Sequence, residues 1–206
     1  MSTKELLEQL YSMRVIPLIG QIDGESVDTI KKSMFSLTMK SDEQIILFID
    51  SSGGEVHTGF SLIDTMLMLR VPIIGVVAGA CHSMAVPVLQ ACTKRFATKH
   101  STFILHPLSS TRKYRYDDDF QRVTEDTGRI SATLHQQYVQ FVAKRSKKSE
   151  DDIDRICKQG DRFGGFLFTD DALEWGLIDE ILPSEFTLFK FKEVNKRQIQ
   201  LSPFEL

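Results

Sequence analysis

The sequence predicts an α/β fold, and three observations carry that expectation. Continuous apolar runs of strand length, Ile45-Ile46-Leu47-Phe48-Ile49 and Ile73-Ile74-Gly75-Val76-Val77-Ala78, read as parallel strands covered on both faces. Segments with apolar residues every three or four positions lie between such runs. The strict alternation of the two patterns favours right-handed strand–helix–strand crossovers.

The elements come in order along the chain. Residues 1–13 are polar and charged at the start and read as an N-terminal segment without a targeting signal. Residues 14–20 form a strand that stops at Gly20. Residues 26–37 place Val27, Ile30, Met34 and Leu37 on one helical face. After the strand at 45–49, residues 59–69 read as a mostly buried helix through Phe60, Ile63, Met66 and Leu67. The strand at 73–78 leads into a buried helix at 85–92. Short strands are expected at 95–97 and 103–105. Residues 109–116 are polar, and Asp117, Asp118 and Asp119 supply acid where a helix would begin.

The helix after this acidic run carries one narrow stripe: Val123, Thr127, Ile130, Leu134, Tyr138 and Phe141. A thin stripe is unsuited to a central core helix, so this one is expected to project and pack on a partner, or to lie over one edge of the domain. Lys144, Arg145, Lys147 and Lys148 mark its end. Ser149 with Glu150, Asp151 and Asp152 reads as the capped start of the next helix, ending near Gly160. Thr169 is expected to cap a helix at 170–175, with a strand after it at 177–182. Residues 186–206 form a tail of low periodicity.

Composition narrows the function classes. Of 206 residues, 42% are hydrophobic and 26% charged, enough for a core in a soluble chain. A net charge of −3 argues against nucleic-acid binding, which draws on a cationic surface. The basic clusters at 144–148 and 190–197 read as solvated faces. The longest apolar run, 71–81, is broken by Pro72 and too short to span a membrane. Three scattered cysteines fit neither a disulfide framework nor a zinc site, so no metal or cofactor is expected. The expected location is a reducing compartment, the cytoplasm or an organelle matrix.

Gly79-Ala80-Cys81-His82-Ser83-Met84-Ala85 carries the chemistry. Ser83 stands where a strand gives way to a helix. Its hydroxyl is therefore offered at the sheet edge beside unpaired backbone N–H groups. An acyl-transfer nucleophile needs that arrangement. Ser51-Ser52-Gly53-Gly54 ends a neighbouring strand, and glycine there lets backbone approach a substrate. His106 comes directly after another strand, and imidazole can take a serine proton near neutral pH. His82 adjoins Ser83, but successive side chains diverge, which makes it a packing residue. His57, His100 and His135 lack supporting motifs.

These motifs resemble the proteolytic subunit of the Clp protease, a serine peptidase on a crotonase-like fold. Residues 14–182 carry the resemblance. Its strongest pieces run from Phe48 to Val56 and from Gly79 to Ala85, with Ile104-Leu105-His106-Pro107 and the stretch from Asp171 to Asp179. The resemblance implies repeated β-β-α spiral units, one peptidase domain over 14–185 and a projecting handle region at about 109–148. It implies Ser83 as nucleophile, His106 as general base, and the Gly53 and Met84 N–H groups as oxyanion hole. Asp161-Arg162-Phe163 matches the acid site if three residues are inserted before Ala172. Counting back from Ala172 without a gap puts Gly164 there and leaves no acid.

Other positions depart from the family pattern. Ser52 replaces a proline, Pro107 a glutamine, Gly160 a ring-contact arginine, and 109–114 a glycine-rich strand. The segment before Arg14 is also shorter than the family's axial gating loop. The resemblance further implies stacked heptameric rings of identical subunits fed with unfolded polypeptide by an AAA+ unfoldase. A non-catalytic ring subunit, a crotonase-fold acyl-CoA enzyme and a Ser-Lys peptidase using Lys94 are the alternatives.

Overall fold

The computed structural model describes residues 2–108, 120–159 and 164–184, with side chains in the long helix from residue 124. The chain runs α1 (Thr3–Ser12), β1 (Val15–Ile22), α2 (Gly24–Thr38), β2 (Ile45–Gly54), α3 (Val56–Met68), β3 (Ile73–His82) and α4 (Ala85–Gln90). It continues through β4 (Lys94–Ala97), β5 (Thr102–Leu105), α5 (Phe120–Arg145), α6 (Glu150–Cys157), β6 (Gly165–Phe168), α7 (Thr169–Trp175) and β7 (Glu180–Ile181). The α/β expectation holds. The strands form one sheet whose main path runs β1-β2-β3-β4-β7, parallel throughout.

β3 is a fork. Its first half pairs with β4 and its last three residues with β5, which in turn pairs antiparallel with β6. The fork opens at a bulge. Ile49 faces Val77, but Ser51 faces Cys81, so β3 carries extra residues between them. The Asp50 carboxylate accepts the Ala80 N–H at 2.8 Å, which satisfies a donor that the ladder loses there. A bulge bends its strand and changes the direction in which the next residues point. In β3 the residue redirected at the strand end is Ser83.

The two faces of the sheet bury different sets. Leu18, Leu47, Ile49, Val77, Cys81 and Phe103 face α2, α3 and α4 in the main core. Val15, Ile46, Ile74, Val76 and Phe96 form a smaller cluster on the other face, over which Leu10 and Met13 pack. Each fully buried aliphatic side chain contributes about 1.5–3 kcal/mol. Arg14 joins α2 to β2: its guanidinium donates to the carbonyls of Leu37, Ser41, Glu43 and Gln44. Positive charge at a helix C-terminus is favourable on its own account.

The periodic segments appear as expected, with boundaries shifted by up to five residues. Four elements differ. α1 occupies the segment read only as a polar, charged N-terminal stretch; its signal is the capping box of Ser2 and Glu5. β6 is not legible in the sequence either. The strand expected at 177–182 is paired only at Glu180 and Ile181. Thr169 opens α7 rather than capping it, and its hydroxyl donates to the Thr98 and Ser101 carbonyls.

α5 is 26 residues long, and its two halves behave differently. Tyr138, Val139 and Val142 join the main core, whereas Ile130 is 48% exposed. The apolar stripe is therefore core-facing toward the C-terminal end and open nearer its start. No helix among the described residues is long and apolar enough to cross a membrane.

Candidate active site

Ser83 comes directly after β3 and has φ of +53°, a left-handed conformation that non-glycine residues adopt rarely. Its N–H donates to the Ile104 carbonyl at 2.8 Å, which ties the turn to β5. Its carbonyl accepts the Val86 N–H at 3.0 Å and faces the Tyr138 hydroxyl at 3.5 Å. Three elements thus hold one turn: β5, α4 and α5. The Met84 N–H has no backbone acceptor among the described residues.

Gly53 closes the site from β2. Its φ is +84°, and a Cβ there would lie 2.6 Å from the His82 carbonyl oxygen, 2.7 Å from Ser83 Cβ and 2.8 Å from Met84 N. Glycine is required on both counts. The Gly53 N–H donates to Ser51 Oγ at 3.1 Å. The Ser51 hydroxyl in turn donates to the Gly20 carbonyl at 2.6 Å and is fully buried. In the sequence Ser51 is only one letter of a motif. Its signal is a polar residue on the core-facing side of an otherwise apolar strand.

His106 lies just past β5. His82 pairs with Ile104 in the ladder, so Ser83 and His106 leave neighbouring strand ends. The His106 Nδ1 is 2.7 Å from the Pro107 carbonyl oxygen. A carbonyl can only accept, so Nδ1 carries the proton, and in the neutral ring the lone pair is on Nε2. That is the tautomer a general base needs. Among the described residues the His106 ring and the Ser83 hydroxyl share no hydrogen bond. Asp161 lies outside the described residues. Gly164, the position opposite the acid in the gapless count, packs on His106: a Cβ there would come 2.6 Å from His106 Cα.

A model of the Clp protease family matches residues 1–185. The chain belongs to the Clp protease family. Within this family member, other titratable groups near the turn have different work. His82 turns to β5, with Nε2 2.9 Å from Thr102 Oγ1. Burial lowers its pKa, against the opposing charge of Asp50. Lys94 pairs with Ile74 at the far end of β3. Nine strand residues, on the order of 25 Å, separate it from Ser83, which removes the Ser-Lys alternative. His135 on α5 meets Asp154 on α6 through Nε2 at 2.8 Å and joins two helices. The three cysteines are buried and free; burial pushes the Cys92 and Cys157 thiols up to about 12 and Cys81 well above its ordinary value. None of them is a thiolate at neutral pH.

Proposed function

We propose that this chain is a serine endopeptidase subunit that cleaves unfolded polypeptides through an acyl-enzyme. The Ser83 turn carries the reading. A serine held at positive φ, an unaccepted Met84 N–H beside it and a glycine packed against both are what acyl transfer asks of a backbone. Ser83 is the nucleophile and His106 the base, with Met84 and Gly53 as the oxyanion donors. Asp161 is the orienting acid. The reading rests on Asp161-Arg162-Phe163, which matches the family's acid site.

The subunit works in a homo-oligomeric ring in the cytoplasm, with substrate delivered by an AAA+ unfoldase. Exposed apolar side chains support association. Ile19 on β1 and the touching pair Phe166 and Phe168 on β6 are exposed, as are Phe35 on α2, Met39 just after it, and Leu67 and Met68 on α3. Unlike apolar surfaces of one subunit suit head-to-tail contacts, which close into rings when the rotation permits. The open half of α5, with Ile130, serves as the handle between stacked rings, and the fold is the spiral crotonase-like one.

A second reading, a non-catalytic ring subunit, draws on two observations: the Gly53 N–H is engaged by Ser51, and His106 is not bonded to Ser83. Treatment of the assembled protein with a fluorophosphonate separates the two. Labelling of Ser83, located by peptide mass mapping, with peptide cleavage in a particle far above 23.5 kDa supports the peptidase. An assembled particle that neither labels nor cleaves supports the scaffold.

A further inference from the structure

We propose that Ser51 is a positioning residue of the oxyanion hole, one that holds the Gly53 N–H in the resting enzyme and yields it as negative charge develops on the substrate. The proposal rests on the peptidase reading. Its ground is a conflict within the site. The two donors of the hole are the N–H groups of Met84 and Gly53, yet only that of Met84 lacks an acceptor among the described residues. The Gly53 N–H is spent on Ser51 Oγ at 3.1 Å.

The Ser51 hydroxyl is well fixed for this role. It has one proton, which goes to the Gly20 carbonyl at 2.6 Å. Its lone pairs are thereby turned away from Gly20 and toward Gly53. The residue is fully buried, so no water competes for either bond. It also stands where both ladders slip. Gly20 pairs with Ser51 and Gln21 with Gly53, which leaves Ser52 as an extra residue opposite β1. Ser51 is likewise the first residue of β2 to pair with β3 beyond the bulge. The slip lies at the peptide between Ser52 and Gly53, whose reorientation gives up the Gln21–Gly53 pair, and Gly53 has no Cβ to obstruct the movement.

The exchange has a driving force that exists only during reaction. When Ser83 Oγ attacks a carbonyl carbon, the new C–O bond pushes the π pair onto the carbonyl oxygen, and the serine proton passes to His106 Nε2. A charged acceptor binds an N–H about twice as strongly as a neutral hydroxyl does. The Gly53 N–H thus prefers Ser51 in the ground state and the oxyanion in the transition state. Breaking the bond to Ser51 subtracts from what the oxyanion gains, and the Ser51 hydroxyl sets the size of that subtraction.

The test is a structure of the protein after phosphonylation of Ser83. In that reaction an Oγ–P bond forms and fluoride leaves, and the serine proton again goes to His106. The phosphonyl oxygen stands where an oxyanion would. The expected result is Gly53 N within hydrogen-bond distance of that oxygen and more than about 3.5 Å from Ser51 Oγ. In parallel, Ser51→Ala should phosphonylate about fivefold faster, the rate equivalent of one net hydrogen bond, and raise kcat for a peptide with little change in KM. Ser51→Thr, which restores the hydroxyl, should return to the wild-type rate. A phosphonylated protein with Gly53 N still on Ser51 overturns the proposal, as does Ser51→Ala reacting at the wild-type rate or slower. The adduct structure decides alone if Ser51→Ala does not fold. Absence of any Ser83 labelling in the wild type is a different failure: it removes the peptidase reading, and this proposal with it.

Discussion

Gly164 sits against His106 so closely that a Cβ on Gly164 would lie 2.6 Å from both Cα and Cβ of the histidine and 2.1 Å from the Leu105 carbonyl oxygen. Its φ of +70° is itself unfavourable for any other residue. Gly164→Ala must therefore push the end of β5 away from β6 and carry the imidazole with it. A displacement of about 1 Å in a catalytic group can cost on the order of 10²-fold in rate. We expect peptide turnover by Gly164→Ala to fall by about that factor while the particle still assembles. Wild-type kcat in the purified variant would show that the imidazole position tolerates movement of the strand.

Ser83→Ala should abolish cleavage, by on the order of 10⁶ in kcat, with assembly unchanged. The positive φ adds a second expectation. Left-handed backbone costs a non-glycine residue roughly 1 kcal/mol or more, and glycine escapes that cost. Ser83→Gly should therefore be as inactive as Ser83→Ala and melt higher, by a few degrees in a chain of this size. A lower melting temperature for Ser83→Gly than for Ser83→Ala would mean that the turn stores no strain.

How far the sequence shows this site depends on which force shapes each part. Strands β2 and β3 and helices α2 and α3 are legible because burial writes apolar periodicity into them. Ser83, Gly53 and His106 are legible because each ends such a run. The bulge opposite Asp50 is not, since it arises from pairing between distant strands and leaves no local pattern. Ser51 shows only as a polar residue on the core-facing side of an apolar strand; its partner, Gly20, lies thirty-one positions away. α5 is legible only in part, for a related cause. Its stripe is thin, yet Tyr138 is fully buried because α4 and α6 cover it from two sides.

The cysteines should be inert in the native protein. Cys81, Cys92 and Cys157 are buried, and burial raises all three thiols. Iodoacetamide at about pH 7.5 should leave them unmodified until denaturant is added, when all three react. Alkylation of native protein that also stops peptide cleavage would contradict a serine mechanism in favour of a thiol one.

Stability should fall off in acid partly through Asp179. Arg95 is almost wholly buried and donates to Asp179 through its backbone N–H, Nε and Nη2, and to the Arg145 and Gly176 carbonyls through Nη1. Burial pushes the Asp179 carboxyl up, but the Arg95 hydrogen bonds and charge outweigh it, so the net shift is downward. A carboxylate lowered in the folded state stabilises fully above its unfolded pKa of about 3.9. That contribution is lost as the pH falls through the lower folded value. Asp179→Asn should melt roughly 5 °C lower at neutral pH, since it leaves the Arg95 charge without its partner. It should also show a shallower loss of stability between about pH 4 and the acid limit of folding. Parallel acid limbs for the two proteins would assign the acid sensitivity to other carboxylates.

Asp161→Asn distinguishes two ways of orienting His106. In the structure the Pro107 carbonyl accepts the Nδ1 proton at 2.7 Å, which selects the tautomer with Nε2 free. A neutral carbonyl can fix a tautomer. It does far less for the imidazolium that forms once Ser83 has given up its proton, because that species needs a negative charge nearby. Asp161 is the proposed source. If its carboxylate takes over Nδ1 in the assembled enzyme, Asp161→Asn should keep the particle and its melting temperature but lose roughly 10⁴ in kcat. Phosphonylation of Ser83 should slow as well, since the same proton transfer is involved. KM should change little, because the acid does not touch substrate. Retention of the wild-type rate would leave the Pro107 carbonyl as the orienting group and make this chain a Ser-His dyad. The dyad then has a test of its own: the backbone at Pro107 must hold the ring, so insertion of one glycine between His106 and Pro107 should abolish turnover in a protein that Asp161→Asn leaves active.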